Sequence, residues 1–206
     1  MAVGSVRALR VRDRNRLSIL DAAREVLTAD PDASMDDIAA EAGMVRRTVY
    51  SHFPTRLDLI EGLVRAGAEE FIADLGEPDV TTDDPATELA TMVLRTWGAA
   101  RRFAPVIELA RRGAEDALQA SMEPFTSIVA QLIDNGQRQG VFSNDLDPGV
   151  LSKVLAGSAL TFLSASSEGH WSGHSGDVAL TCLLLLGTPT GTAHAALAQA
   201  TIHQLA

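Results

Sequence analysis

The stretch SMDDIAAEAGMVRRTVYSHF, residues 34–53, decides the fold of this chain. Met35, Ile38, Ala39 and Ala42 recur at i, i+3, i+4 and i+7, the spacing of one apolar stripe on a short helix. Ser34 stands just before the stripe and Asp37 three residues later, a capping-box pattern in which a hydroxyl and a carboxylate take up free backbone N–H groups. Gly43 follows, where a residue that tolerates positive φ turns the chain sharply. Beyond the turn, Val45 and Val49 are expected to give a second short helix its inward face, which leaves Arg46, Arg47 and Tyr50 together on the outer one. Such a pair of helices is a helix-turn-helix. Outward guanidinium groups on its second helix can pair with O6 and N7 of guanine in a major groove, and Thr48, Tyr50 and His52 can hydrogen-bond phosphates beside it.

Working outward, residues 16–29 show helical spacing, with Leu17, Leu20, Ala23 and Leu27 on one side and Arg24 and Glu25 outside, before Asp30-Pro31-Asp32 stops the helix. Thr55 and Asp58 repeat the capping pattern after Pro54. Asp84-Pro85 and Asp147-Pro148 each set a good cap before a proline at the first helical position, where the missing N–H costs nothing. Further helices are expected over 105–117 and 121–139, the second ended by Gly140. Residues 164–176 are rich in Ser and Gly and read as a loop. No window alternates as a strand does, so the fold expected is all-α. Residues 150–164 and 178–186 are apolar on nearly every face and must be buried on nearly every side, which no surface helix of a monomer achieves.

Composition narrows the function. With 206 residues and 46% hydrophobic residues the chain can build a core. The longest unbroken apolar run, around residues 183–186, falls far short of the ~20 residues a bilayer requires, so a soluble, cytoplasmic protein without a membrane partner is expected. Cys182 is the single cysteine and lies in that run, which excludes an intrachain disulfide and points to an inert buried thiol. Net charge is −10, but residues 1–56 hold nine arginines against eight acids, +1, while residues 57–206 hold eight basic residues against nineteen acids, −11. Phosphate repulsion confines any contact with DNA to the N-terminal quarter.

The segment from Met35 to Gly43, then Arg46 to Arg56, resembles the DNA-binding signature of the tetracycline-repressor (TetR) family, through Ile38-Ala39, Gly43, Thr48, Tyr50, Phe53 and the capped helix after Pro54. The resemblance implies an N-terminal helix-turn-helix domain over 1–56 and a larger helical ligand-binding and dimerisation domain over 57–206. It implies Thr48 and Tyr50 as phosphate contacts, Arg46 and Arg47 as base or backbone contacts, Arg56 as a phosphate contact, and Ser34 as a phosphate site at its helix N-terminus. Two positions depart from the family pattern: Val45 stands where a capping serine is frequent, and Arg47 where glycine is. Arg7, Arg10, Arg12, Arg14 and Arg16 form a basic N-terminal tail, either disordered or laid along phosphates or a minor groove.

The same resemblance implies an effector pocket between about 86 and 162. Met92, Thr96, Trp97, Phe103, Met122, Phe125, Val129 and Phe162 are its candidate lining, suited to a largely apolar small molecule, or else plain core. Arg101, Arg102, Arg111 and Arg112 with Glu108 and Glu115 read as a solvated, ion-paired face. His170 and His174 are spaced as a metal could use on a helix, but the loop-like sequence between them and the lack of further ligands argue against a metal site. No phosphate loop, G-x-S-x-G or H-E-x-x-H is present, so neither an enzyme nor a cofactor is expected. The reading is a ligand-responsive regulator, a repressor, acting on a near-palindromic double-stranded operator as a homodimer joined through 150–164 and 178–186. The alternative is a ligand-binding or scaffold protein that keeps the helix-turn-helix only as structure.

Overall fold

A computed structural model describes residues 2–205, with side chains from Val11 to Gln204. Nine helices and no strand occur among the described residues: α1 (Ala2–Ala29), α2 (Met35–Glu41), α3 (Arg46–His52), α4 (Arg56–Leu75), α5 (Pro85–Arg111), α6 (Glu115–Arg138), α7 (Pro148–Ser167), α8 (Ser175–Leu185) and α9 (Thr190–Leu205). They divide into two compact units, Met1–Gly67 with Pro105–Ala120, and Ala68–Ala104 with Ser121–Ala206.

In the first unit α2 packs on both α1 and α3. Ile19, Leu20, Ala23 and Leu27 of α1, Ile38 and Ala39 of α2, Val49 of α3 and Leu59 and Leu63 of α4 are buried. The sequence reading placed Leu17 on this inward face, but Leu17 is 61% exposed and Ile19 takes its place. Ile19 stands four residues before Ala23 and eight before Leu27, on the same face, whereas at 100° per residue Leu17 falls roughly 100° from the middle of that stripe. α1 also begins well before residue 16, and the side chains of Arg7 and Arg10 lie outside the described residues.

In the second unit α8 packs on α7 and on α9, with Val178, Ala179, Cys182, Leu183, Ala193 and Ala200 buried. α9 was not anticipated, because its inward stripe is made of alanines, Ala193, Ala196 and Ala200, whose weak apolar contrast hides the period. Burial pushes the Cys182 thiol up to about 12, so it is neutral and unreactive, as expected for a buried cysteine.

The caps act as the sequence implies at both Asp-Pro sites. α5 starts at Pro85 and α7 at Pro148, where the Asp147 carboxylate accepts from the N–H groups of Gly149 and Val150. Pro105 and Pro124, by contrast, do not interrupt their helices. The expected helix start at 105 is thus absent, and α5 runs through Pro105, where flanking Ala99, Phe103, Val106 and Ala110 are buried and their packing outweighs one lost ladder bond. α6 starts at Glu115 rather than 121 and ends at Arg138, followed by Gly140 at φ 72°. There the Phe142 ring lies against Gly136, and a Cβ on that glycine would stand 2.1 Å from the ring. α7 extends four residues, 164–167, into the stretch read as a loop.

α7 and α8 are only partly buried. Val150, Val154, Leu184 and Leu185 are between 43% and 48% exposed. Judged as a helix rather than as an unbroken apolar run, α7 is long and apolar enough to cross a membrane, a test that core helices of water-soluble proteins also pass. Few of its residues are fully buried within this chain, and many are half-buried.

Candidate nucleic-acid interface

The starts of α2 and α4 and the turn after α2 are each held by a bond the sequence encodes. Ser34 adopts extended backbone before α2, and its Oγ accepts from the Asp37 N–H at 3.2 Å while Asp37 accepts from the Ser34 N–H at 2.8 Å. The Ser34 hydroxyl also donates to Asp37 at 2.6 Å, and these bonds hold the carboxyl below its ordinary pKa. Gly43, at φ 63°, supplies the left-handed turn, and the Met44 N–H reaches back to the Ala39 carbonyl at 2.9 Å. Thr55 and Asp58 form the same reciprocal cap at the start of α4, at 2.9 and 3.1 Å.

Val49 is fully buried and anchors α3, whereas Val45 is 71% exposed. The expected inward role of Val45 is therefore corrected: it is the N-cap residue, with extended backbone that turns its side chain off the helical face and with no side-chain cap bond. Phe53 closes α3 and is 1% exposed. The Arg16 guanidinium lies over its ring at 4.5 Å, and on α4 Gly62 leaves the space the ring fills.

Around this frame the candidate side chains differ in freedom. Arg46 and Arg47 are exposed, and Thr48, Tyr50 and His52 are half-buried. Arg46 bonds the Asp36 carboxylate at 2.8 Å and stacks over the Tyr50 ring at 5.2 Å. Desolvation, with Arg12 and Arg16 adding positive charge, lowers the His52 pKa, so His52 is neutral near pH 7. Arg56 donates to the carbonyls of Ala33 and Pro31, which ties the start of α4 to the loop before α2. The side chain that the resemblance assigns to a phosphate thus also fastens the domain. The sequence reading missed Asp36, and also the position of Arg12 and Arg16 beside His52. For Asp36 the available signal was an acid in the first turn of α2, opposite in charge to the first residue of α3.

In the second unit Met92, Thr96, Trp97, Phe103 and Val129 are buried, and Met122, Phe125 and Phe162 half-buried. Trp171 brings Trp97 and Phe162 together, at ring distances of 6.0 and 4.9 Å. Phe125 instead meets Phe71 of α4 edge-on at 4.9 Å. The Thr96 hydroxyl donates to its own helix, at Met92 O. Trp171 and Phe71 were missed, since each lies outside the helical pattern of the residues it joins. Arg102 reaches Glu70 and Asp74 of α4 at 2.9 and 3.0 Å, and in the first unit Arg112 pairs with Glu108. His170 lies 3.1 Å from Glu168, and the His174 N–H is bonded to Asp177; no group of metal-ligating side chains occurs among the described residues.

Residues 19–63 match the family model of bacterial regulatory proteins, tetR family. The transcriptional repressor LfrR of Mycolicibacterium smegmatis is 39% identical over 84 residues, 41% of this chain and 42% of LfrR. The transcriptional regulator UidR of Escherichia coli is 27% identical over 147 residues, 68% of this chain and 75% of UidR. The chain thus spans less than half of LfrR and three quarters of UidR. Among solved structures, FadR from Bacillus subtilis in complex with stearoyl-CoA superposes with a TM-score of 0.71 at 18% identity, covering 82% of this chain and 97% of FadR. LfrR in complex with proflavine gives 0.62 at 24% identity, covering 86% and 96%. Residues 19–63 thus carry the helix-turn-helix that the tetR family model of bacterial regulatory proteins describes.

Proposed function

We propose that this protein is a ligand-responsive transcriptional repressor that binds a near-palindromic double-stranded operator in the cytoplasm as a homodimer. The observation that carries the reading is the outer face of α3. Arg46 and Arg47 are exposed on a helix whose frame is fixed by two capping boxes, a glycine turn and the buried Val49. A helix kept only for structure has no need of two adjacent exposed guanidinium groups, whereas a major groove pairs them with guanine or phosphate. Ser34, Thr48, Tyr50, His52 and Arg56 are the supporting contacts, and residues 1–56 form the reading domain.

Residues 57–206 are proposed as the sensor. The exposed apolar side chains of α7 and α8 favour a symmetric partner there, because a second copy buries them as a four-helix bundle. The effector is proposed as largely apolar and bound near Trp97, Phe162 and Trp171, and the structures of FadR with stearoyl-CoA and LfrR with proflavine support a small molecule in this role. It releases DNA only through its differential affinity for the two states. Genomic footprinting of the full chain tests the reading. Protection of a few short sites of near-twofold symmetry is expected, and uniform or absent protection would overturn it.

A further inference from the structure

Arg46 and Arg47 are neighbours on one helix, yet their surroundings differ. Arg46 Nη1 donates to Asp36 Oδ2 at 2.8 Å, Nη2 lies 3.4 Å from the Tyr50 hydroxyl, and the guanidinium carbon sits 5.2 Å from the Tyr50 ring centroid. The group is held by α2 on one side and by its own helix on the other. The Arg47 side chain makes no ion pair or hydrogen bond among the described residues. We propose that Asp36 is a positioning residue for base recognition, holding the Arg46 guanidinium for guanine while Arg47 serves a phosphate; this rests on the reading of α3 as the recognition helix.

The Asp36 and Arg46 side chains are 54% and 65% exposed, so their ion pair adds little to folding stability and needs another account. Bidentate recognition of guanine requires a guanidinium in one orientation. Two of its five N–H groups meet Asp36 and Tyr50, and three remain, enough for O6 and N7. The carboxylate also repels phosphates. It therefore weakens attachment to arbitrary duplex and favours the site where Arg46 finds its base. Because the pair is neutral, Arg46 adds little to counterion release, whereas Arg47 adds a full charge.

The experiment is selection from a pool of randomised duplex DNA by the full chain and its variants, with affinities followed against salt. The wild type is expected to enrich guanine at one position of each half-site, and Arg46→Ala to lose that preference alone. Asp36→Asn should lower the guanine preference there about tenfold and bind unselected duplex more tightly, and Asp36→Glu, which keeps the charge, should restore discrimination. Arg47→Ala should weaken all sequences alike and reduce the salt slope by about one. An Asp36→Asn profile identical to the wild type, or a loss that Glu does not restore, overturns the positioning role. Failure of the wild type to enrich any sequence overturns the reading of α3 itself.

Discussion

A Cβ added at Gly62 would stand 2.7 Å from Cε1 of Phe53, so α4 and the end of α3 meet through a glycine that leaves room for one ring. Phe53 is 1% exposed, and the Arg16 guanidinium lies over its ring. Any side chain at position 62 forces the ring, or the buried side chains around it, to shift. Gly62→Ala should destabilise the protein by about 1–3 kcal/mol and weaken DNA binding beyond what the fraction unfolded explains. Thermal melts and a binding isotherm below the transition measure the two effects separately.

The capping box of α2 makes a pH prediction with a definite sign. Hydrogen bonds from the Ser34 side chain and then its backbone lower the Asp37 pKa below the ordinary 3.8. The stabilisation is therefore complete above 3.8 and is lost as pH falls through the lower, folded value. Asp37→Asn should remove this part of the acid dependence, seen as a smaller difference between melts at neutral and acidic pH. The same substitution should leave helicity at neutral pH near that of the wild type.

His52 reports the placement of α1. Its pKa is lowered first by burial and then by Arg12 and Arg16, so the folded state resists protonation. Its contribution to stability is present above the ordinary value of 6.5 and is lost as pH falls through the folded value. Arg12→Ala and Arg16→Ala should each raise the His52 pKa in an NMR titration. An unchanged pKa in both would place the arginines away from the imidazole.

The apolar surface of α7 and α8 predicts the oligomeric state. Val154→Glu or Leu184→Glu should convert a dimer to a monomer in light scattering, because a charge cannot be buried unpaired in a helical seam. A wild-type monomer at micromolar concentration would remove the basis for the seam.

The DNA-binding frame was legible because its signals are local. Ser34 with Asp37, Gly43, and Thr55 with Asp58 act within a few residues, and each makes the bond its spacing implies. The errors lie where one position has two roles. Val45 has an apolar side chain at a helix-capping position, and the cap geometry, not the hydrophobicity, decides that it points outward. Pro105 has the look of a helix start, yet burial on both sides carries α5 through it. Contacts between residues on different elements were scarcely legible, and for Asp36 and Arg46 the one signal was opposite charge at the starts of α2 and α3. Asp36 with Arg46, Arg16 with Phe53, and Trp97 with Trp171 are set by how elements pack, and no spacing rule connects them.

The most direct test of the central claim is the affinity of the full chain for a footprinted duplex, compared with the Arg46→Ala/Arg47→Ala double variant across a salt series. A loss of at least about a hundredfold and a shallower salt dependence are expected for the variant, with the melting temperature unchanged. Equal affinity and equal salt slope for the two proteins would contradict that claim.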